Sequence, residues 1–272
     1  MPENRKDIFN SIRLERNISY PFPTIVSIVS IFIIVAAYSI LGIGRYNMSF
    51  YLSPGWNSTA ITEKLVESVN TVSSRAIAFP ILDFVYVVVL LVPLLIAFNL
   101  AQGYSNGQMR TLLSYPIRRR TVLLLKSGLV ILLVSSSGTL GVLFSLLYFF
   151  PFSISLNSFL ILIATFWISV SLIASTCTLL AVVSRSARIT AFVGMGLWMV
   201  ALSDLSMPYT HPLLRYPLFP IQVAVSYIDS SVSVFFREQT TLFDVIFGSG
   251  SALILSVALL ILSVFIFKRQ EI

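Results

Sequence analysis

Few residues of this 272-residue chain have the types and spacing that catalysis requires. The one histidine, His211, stands alone in a Pro-rich stretch, and the one cysteine, Cys177, lies inside an apolar run. A metal site needs several such ligands, and a nucleophile needs a base beside it. No HExxH, CxxC or Walker A pattern occurs. We therefore expect no metal site, no catalytic centre and no ATP hydrolysis by this chain itself.

The residues whose pattern does predict an activity are basic, and they lie in one segment from Gly103 to Lys126, GYSNGQMRTLLSYPIRRRTVLLLK. The segment has no acidic residue, and a helical period places Met109, Leu112 and Leu113 on one face. Pro116 then ends the helix. The sequence predicts a short amphipathic helix followed by a basic turn, which is a surface that a soluble partner can bind. The basic residues are Arg110, Arg118, Arg119, Arg120 and Lys126.

Part of this segment, GQMRTLLSYPIRRRTVLLLK, resembles the cytoplasmic segment between the second and third spans of type-2 ATP-binding-cassette (ABC) exporter permeases. That family often has a Glu a few residues before its glycine, whereas this chain has Asn99 and Gln102 there. The residues that match the family pattern are Gly107, Leu112, Leu113, Ser114, Pro116, Arg119 and Lys126.

The resemblance implies the membrane subunit of an exporter. Two permease protomers, identical or homologous, would form the pathway, and two separate ATPase subunits would supply ATP and Mg, so this chain needs no cofactor of its own. The amphipathic helix would be the coupling helix that contacts the ATPase. Its expected interface residues are Gly107, Met109, Arg110, Leu112, Leu113, Ser114, Pro116, Arg118 and Arg119.

The composition is that of a polytopic membrane protein. The chain is 57% hydrophobic and only 11% charged, which leaves no room for a separate soluble domain. We expect an all-α membrane protein with a single domain, residues 1–272. Its six predicted transmembrane helices are residues 24–43, 81–101, 127–149, 159–183, 189–204 and 245–267.

Further elements are expected outside these spans. Residues 1–23 fit either an N-terminal interfacial helix or a frayed basic tail. Between the fifth and sixth spans, a helical stripe starts at Pro220 and fits the extracellular helical hairpin of the resembled family. The stripe comprises Ile221, Ala224, Val225, Ile228, Val232 and Phe235. Pro93 should kink the second span, and small residues in the third to fifth spans, Gly194 and Gly196 among them, should let helices approach closely. Asn47 and Asn57 begin glycosylation sequons.

The distribution of charge predicts the orientation. Thirteen of the 18 Lys and Arg residues fall in the N-terminal tail, the Gly103–Lys126 segment, the loop at 185–188 and the C-terminal tail. The positive-inside rule places these parts, and both termini, on the cytoplasmic side of the cytoplasmic membrane. Because the basic residues lie at the ends of spans, membrane orientation explains the net charge of +7 better than nucleic-acid binding does. The alternatives are a non-transporting scaffold, a secondary carrier and, least favoured by the residues, an intramembrane enzyme.

Overall fold

A computed structural model of the chain describes residues 85–105, 107, 119–148, 156–204, 217–218, 220–228 and 240–270. Within these ranges the regular elements are all helices, and the all-α fold class is confirmed for them. We number the helices α1 (Val85–Tyr104), α2 (Arg119–Tyr148), α3 (Leu156–Ser184), α4 (Ala187–Asp204), α5 (Pro220–Ile228) and α6 (Leu242–Arg269).

Four of these helices are long and apolar enough to cross a membrane, namely Val85–Tyr104, Arg120–Gly141, Leu156–Ser184 and Leu242–Arg269. Each meets the length of about 20 apolar residues that a bilayer requires. The apolar part of α4, Ala187–Ala201, is shorter. The predicted first span, 24–43, and the N-terminal interfacial helix lie outside the described residues. The chain is therefore membrane-embedded, and the count of six spans stays a prediction.

Helix α3 is the centre of the fold, because it contacts every other numbered helix. It carries no charged residue, and its mixture of apolar and small residues lets it be buried on several sides. Its hydroxyl groups are satisfied within the helix, as when Thr178 donates to the carbonyl of Ala174 at 2.7 Å. The buried residues of α3 include Leu162, Phe166, Val170, Ile173, Ala174, Cys177 and Ala181.

Two indole groups connect α3 to its neighbours. Nε1 of Trp167 on α3 donates to Oγ1 of Thr139 on α2 at 3.0 Å, and Nε1 of Trp198 on α4 donates to Oγ1 of Thr176 on α3 at 2.9 Å. Interhelical hydrogen bonds of this kind add to packing where water is scarce. Of the small polar residues in the third and fourth spans, Thr139 and Thr176 therefore accept hydrogen bonds between helices.

Glycine also brings helices together, but at only one of the two positions that the sequence singled out. A Cβ at Gly194 would lie 3.1 Å from Cys177 Sγ on α3 and 3.1 Å from Pro93 Cβ on α1, so α4 approaches both helices closely. Gly196 has nothing within 4 Å of an added Cβ. The close approach thus depends on Gly194 alone.

Helix α1 departs from regular α geometry one turn after Pro93. Residues Ala97–Ala101 form a π-helical segment, and the N–H of Gln102 donates to the carbonyl of Ala97. A π turn holds an extra residue in each hydrogen-bonded ring. The sequence predicted a proline kink here and gave no sign of the π turn.

The last two helices follow the sequence closely. Helix α5 begins at Pro220, as predicted, and buries Ile221, Ala224 and Val225 against its neighbours α3 and α6. Helix α6 begins with a capping box between Thr241 and Asp244. Its buried face includes three small residues at four-residue spacing, Gly248, Ala252 and Ser256, and its other faces expose large apolar side chains.

Candidate functional site

Apart from buried Lys126, the charged residues within the described ranges lie near the two ends of the helix bundle. Basic residues stand at the start of α2, at the turn between α3 and α4, and at the end of α6. The two acidic residues within the described ranges, Asp204 and Asp244, lie at the end of α4 and the start of α6. Helix α4 runs away from the turn between α3 and α4, and α6 runs toward it. The end of α4 and the start of α6, with their two acids, therefore lie at the opposite end of the bundle. The group at the first end, which we call the basic end, comprises Arg119, Arg120, Arg185, Arg188, Lys268 and Arg269.

Side-chain contacts hold the basic end together. The rings of Tyr104 on α1 and Phe267 on α6 meet edge to face, with centroids 6.3 Å apart. Nε2 of Gln270, just after α6, donates at 2.8 Å to the carbonyl of Val182, one of the last carbonyls of α3. These contacts fix the ends of α1, α3 and α6 against one another. In the sequence, the predicted coupling segment lies between the end of α1 and the start of α2, which are both at the basic end.

The turn between α3 and α4 is as tight as the sequence indicated, since only Arg185 and Ser186 separate the helices. Arg185 has a left-handed φ of 52°, and its N–H donates to the carbonyl of Ala181 at 3.0 Å, so the residue caps α3. The side chains of Arg185 and Arg188 are both exposed. Two positive charges thus point into solvent from one short turn.

Lys126 occupies a different environment from the one expected. The sequence placed it in the basic segment before the third span, whereas the structure places it inside α2 with only 2% of its surface exposed. Its Nζ donates to the main-chain carbonyl of Asn99, in the π segment of α1, at 2.9 Å. The side-chain amide nitrogen of Asn99 is itself buried and has no hydrogen-bond partner among the described residues. This is a polar contact between α1 and α2 that charge counting along the sequence does not reveal.

The helix boundary also differs from the prediction at this point. Arg119 and Arg120 were expected in a basic turn, but they form the start of α2, which begins eight residues before the predicted span at 127. The physical reason is that arginine is a good helix former, and a helix can extend beyond the apolar core of a membrane. The side chain of Arg120 is exposed, in keeping with a position at the membrane face.

Most of the predicted coupling residues fall between α1 and α2, outside the described residues. These are Met109, Arg110, Leu112, Leu113, Ser114, Pro116 and Arg118, and the sequons at Asn47 and Asn57 also lie outside. Gly107 is described, with φ at +71°, a left-handed conformation that favours glycine. A Cβ there would meet nothing within 4 Å, so its backbone conformation, and not a lack of space, favours glycine.

One catalytic sequence pattern occurs in the chain without the structure that it requires. Residues Gly103 to Gly107 match Gly-x-Ser-x-Gly, the pattern around the nucleophile of α/β-hydrolases. That pattern requires a sharp turn from a strand into a helix, with a histidine brought nearby. Here Ser105 ends the helical segment Gln102–Ser105 that continues α1, so a helix directly precedes it. The segment therefore lacks the geometry of a nucleophile elbow.

Other catalytic constellations are missing from the part of the chain that the structure describes. No group of three or more His, Cys, Asp or Glu side chains in that part could hold a metal ion. Cys177 is a buried free thiol between α3 and α4. The exposed guanidinium and ammonium groups of the basic end can donate hydrogen bonds to a negatively charged partner.

Comparison with known proteins identifies no relative: the chain matches no family model, and the searches of curated proteins and of solved structures gave no match. The candidate site thus depends on the chain's own residues and geometry.

Proposed function

We propose that the chain is the membrane subunit of an ABC exporter, which moves a substrate across the cytoplasmic membrane by alternating access. Separate ATPase subunits would bind its Gly107–Arg118 segment and drive the change. The observation that supports the proposal concerns the two helices that flank this segment in the chain. The end of α1 and the start of α2 both lie at the basic end, and Lys126 on α2 links the two helices through Asn99.

The charge of the basic end supports the same orientation. Exposed Arg120, Arg185, Arg188, Lys268 and Arg269 stand at one end of membrane-embedded helices, and the described acids stand at the other. Positive residues at the ends of spans favour the cytoplasmic side, where an ATPase would be found. A second protomer, identical or homologous, would complete the pathway.

Mutation of the segment tests the proposal. Leu112→Asp and Leu113→Asp should abolish co-purification with an ABC ATPase encoded beside the gene for this chain, since a carboxylate cannot enter an apolar groove without a partner. Ile189→Asp is the matched control, because it also replaces an apolar side chain, 49% exposed near the basic end, by a carboxylate but lies outside the segment. Undiminished complex formation by both leucine variants would refute the assignment.

A secondary carrier is the second candidate, and buried Lys126 is the observation that favours it. Ionisable side chains within membrane spans often mark ion or proton pathways. The two candidates differ in their energy source. Transport into vesicles that stops when the ATPase loses its Walker A lysine supports the exporter, whereas transport that stops only on collapse of the proton gradient supports the carrier.

A further inference from the structure

The contact between Lys126 and Asn99 joins two helices at an unusual point. Asn99 is the middle residue of the π-helical segment Ala97–Ala101, and its carbonyl accepts from Lys126 Nζ at 2.9 Å. Both residues are buried, at 7% and 2% exposure. The contact thus ties the one irregular turn described in α1 to the start of α2.

The chemistry of this contact favours the π turn. In a π turn the carbonyls leave the register of the α-helix, and a donor from outside the helix can reach them. An ammonium group is a stronger donor than a neutral amide. Breaking the contact would leave a buried charge without this acceptor, which costs free energy in an apolar setting. Lys126 therefore stabilises the π turn relative to a regular α turn.

Whether residues Ala97–Ala101 have π or α geometry determines the orientation of the last residues of α1. If the π segment relaxed to α geometry, the residues after it would rotate by roughly 100°, the angle per residue of an α-helix. Those residues are Gln102–Ser105, and they lead to Gly107. The rotation would also move Tyr104 away from Phe267, which its ring contacts at 6.3 Å.

We propose that Lys126 is a positioning residue that holds the π turn of α1 and so sets the direction in which α1 ends at Gln102–Ser105. That the chain after Gly107 binds an ATPase rests on the proposed function. The hold of Lys126 on the π turn concerns this chain alone.

Spin-label distances in the full chain, purified without an ATPase and placed in lipid nanodiscs, test the proposal. The native cysteine is first removed with Cys177→Ala. One pair of labels, at Gln102→Cys and Val183→Cys, then gives the distance from the residue after the π turn to the end of α3. A control pair, at Leu90→Cys and Val183→Cys, gives the distance from a residue before the π turn to the same point on α3. Leu90 and Val183 are 44% and 60% exposed, so labels there cause little disturbance.

Lys126→Met should shift the distance from position 102 by up to roughly 8 Å, the chord of a 100° rotation at the radius of a helix side chain. The control distance should stay within its wild-type distribution, and Lys126→Arg, which keeps a charged donor, should resemble wild type. If Lys126→Met does not fold, the same distances are measured in Lys126→Gln, for which we expect the same shift. An unchanged distance from position 102, or an equal change in both pairs, would overturn the proposal.

The outcome is separable from that of the proposed function. If the leucine variants still bind the ATPase while Lys126→Met shifts the label at position 102, the function fails and the role of Lys126 stands. If the leucine variants lose the ATPase and the label does not move, the role of Lys126 fails alone.

Discussion

Gly194 on α4 packs directly against Pro93 on α1, since a Cβ at Gly194 would lie 3.1 Å from the Cβ of Pro93. The same Cβ would lie 3.1 Å from Sγ of Cys177 on α3. Helices α1, α3 and α4 therefore pack closely at Gly194, where a larger side chain would not fit without movement. The closeness of this contact leads to a sharp prediction, because the neighbouring Gly196 has open space around it.

Gly194→Ala should destabilise the folded chain by about 1 to 3 kcal/mol, since an added methyl group must displace a proline ring and a thiol. Gly196→Ala should be neutral or stabilise by up to about 1 kcal/mol, the helix-propensity gain of alanine over glycine. The measurement is unfolding in mixed detergent micelles followed by circular dichroism. Adding Cys177→Ala should recover part of the loss at Gly194, and equal effects at the two glycines would contradict the packing.

The hydrogen bond from Trp198 to Thr176 should contribute a measurable coupling free energy between α4 and α3. A double-mutant cycle with Trp198→Phe and Thr176→Val should give about 0.6 to 1.7 kcal/mol, the range of interhelical hydrogen bonds in membranes. The double-mutant cycle cancels the packing free energy lost when Trp198 is replaced by the smaller phenylalanine, and leaves the coupling between the two side chains. Trp198→Phe with Leu140→Ala on α2 is the control cycle, for which we expect strict additivity.

The capping box at the start of α6 gives a third prediction. Thr241 Oγ1 accepts from the Asp244 N–H, and the Asp244 carboxylate accepts from the Thr241 N–H at 2.7 Å. Thr241→Ala should therefore cost about 0.5 to 2 kcal/mol and fray the first turn of α6. Hydrogen exchange of that turn measures the fraying.

The adjacent threonine is a matched control for the cap. Thr240 Oγ1 is buried and has no hydrogen-bond partner, so Thr240→Ala should leave exchange at the start of α6 unchanged. Faster exchange in the Thr240 variant than in the Thr241 variant would show that the cap is assigned to the wrong residue.

The small residues on the buried face of α6 predict a difference between its two sides. Ala252 is fully buried, whereas Ala258, six residues later on the same helix, is exposed. Ala252→Leu should destabilise by about 1 to 3 kcal/mol through overpacking, and Ala258→Leu should have little effect. Thermal stability in detergent measures both, and a larger loss at position 258 would mean that the faces of α6 are reversed.

The sequence predicted the helices better than the contacts between them. Uncharged runs and the start of α5 at Pro220 follow from local rules, because hydrophobicity and backbone chemistry act residue by residue. Helix α6 begins three residues before the predicted span at 245, because the capping box of Thr241 and Asp244 starts it. The burial of Lys126 does not follow from local rules, since its environment depends on a π turn 27 residues earlier in the chain.

The candidate site shows the same division. The basic character of the end formed by Arg120, Arg185 and Lys268 is visible in the sequence, because span ends can be counted. Which of two glycines touches a neighbour, as Gly194 does, is decided by helix rotation, which the spacing of Gly194 and Gly196 leaves open. The coupling helix itself stays a prediction.

The two indole contacts of α3 provide built-in optical reporters. The chain has three tryptophans, and two of them, Trp167 and Trp198, donate to threonines across the boundaries of α3 with α2 and α4. With Trp56→Phe, the remaining emission would come from these two boundaries alone. If the proposed transport takes place, an emission wavelength that does not change during turnover would indicate that the contacts of α3 with α2 and α4 are kept throughout.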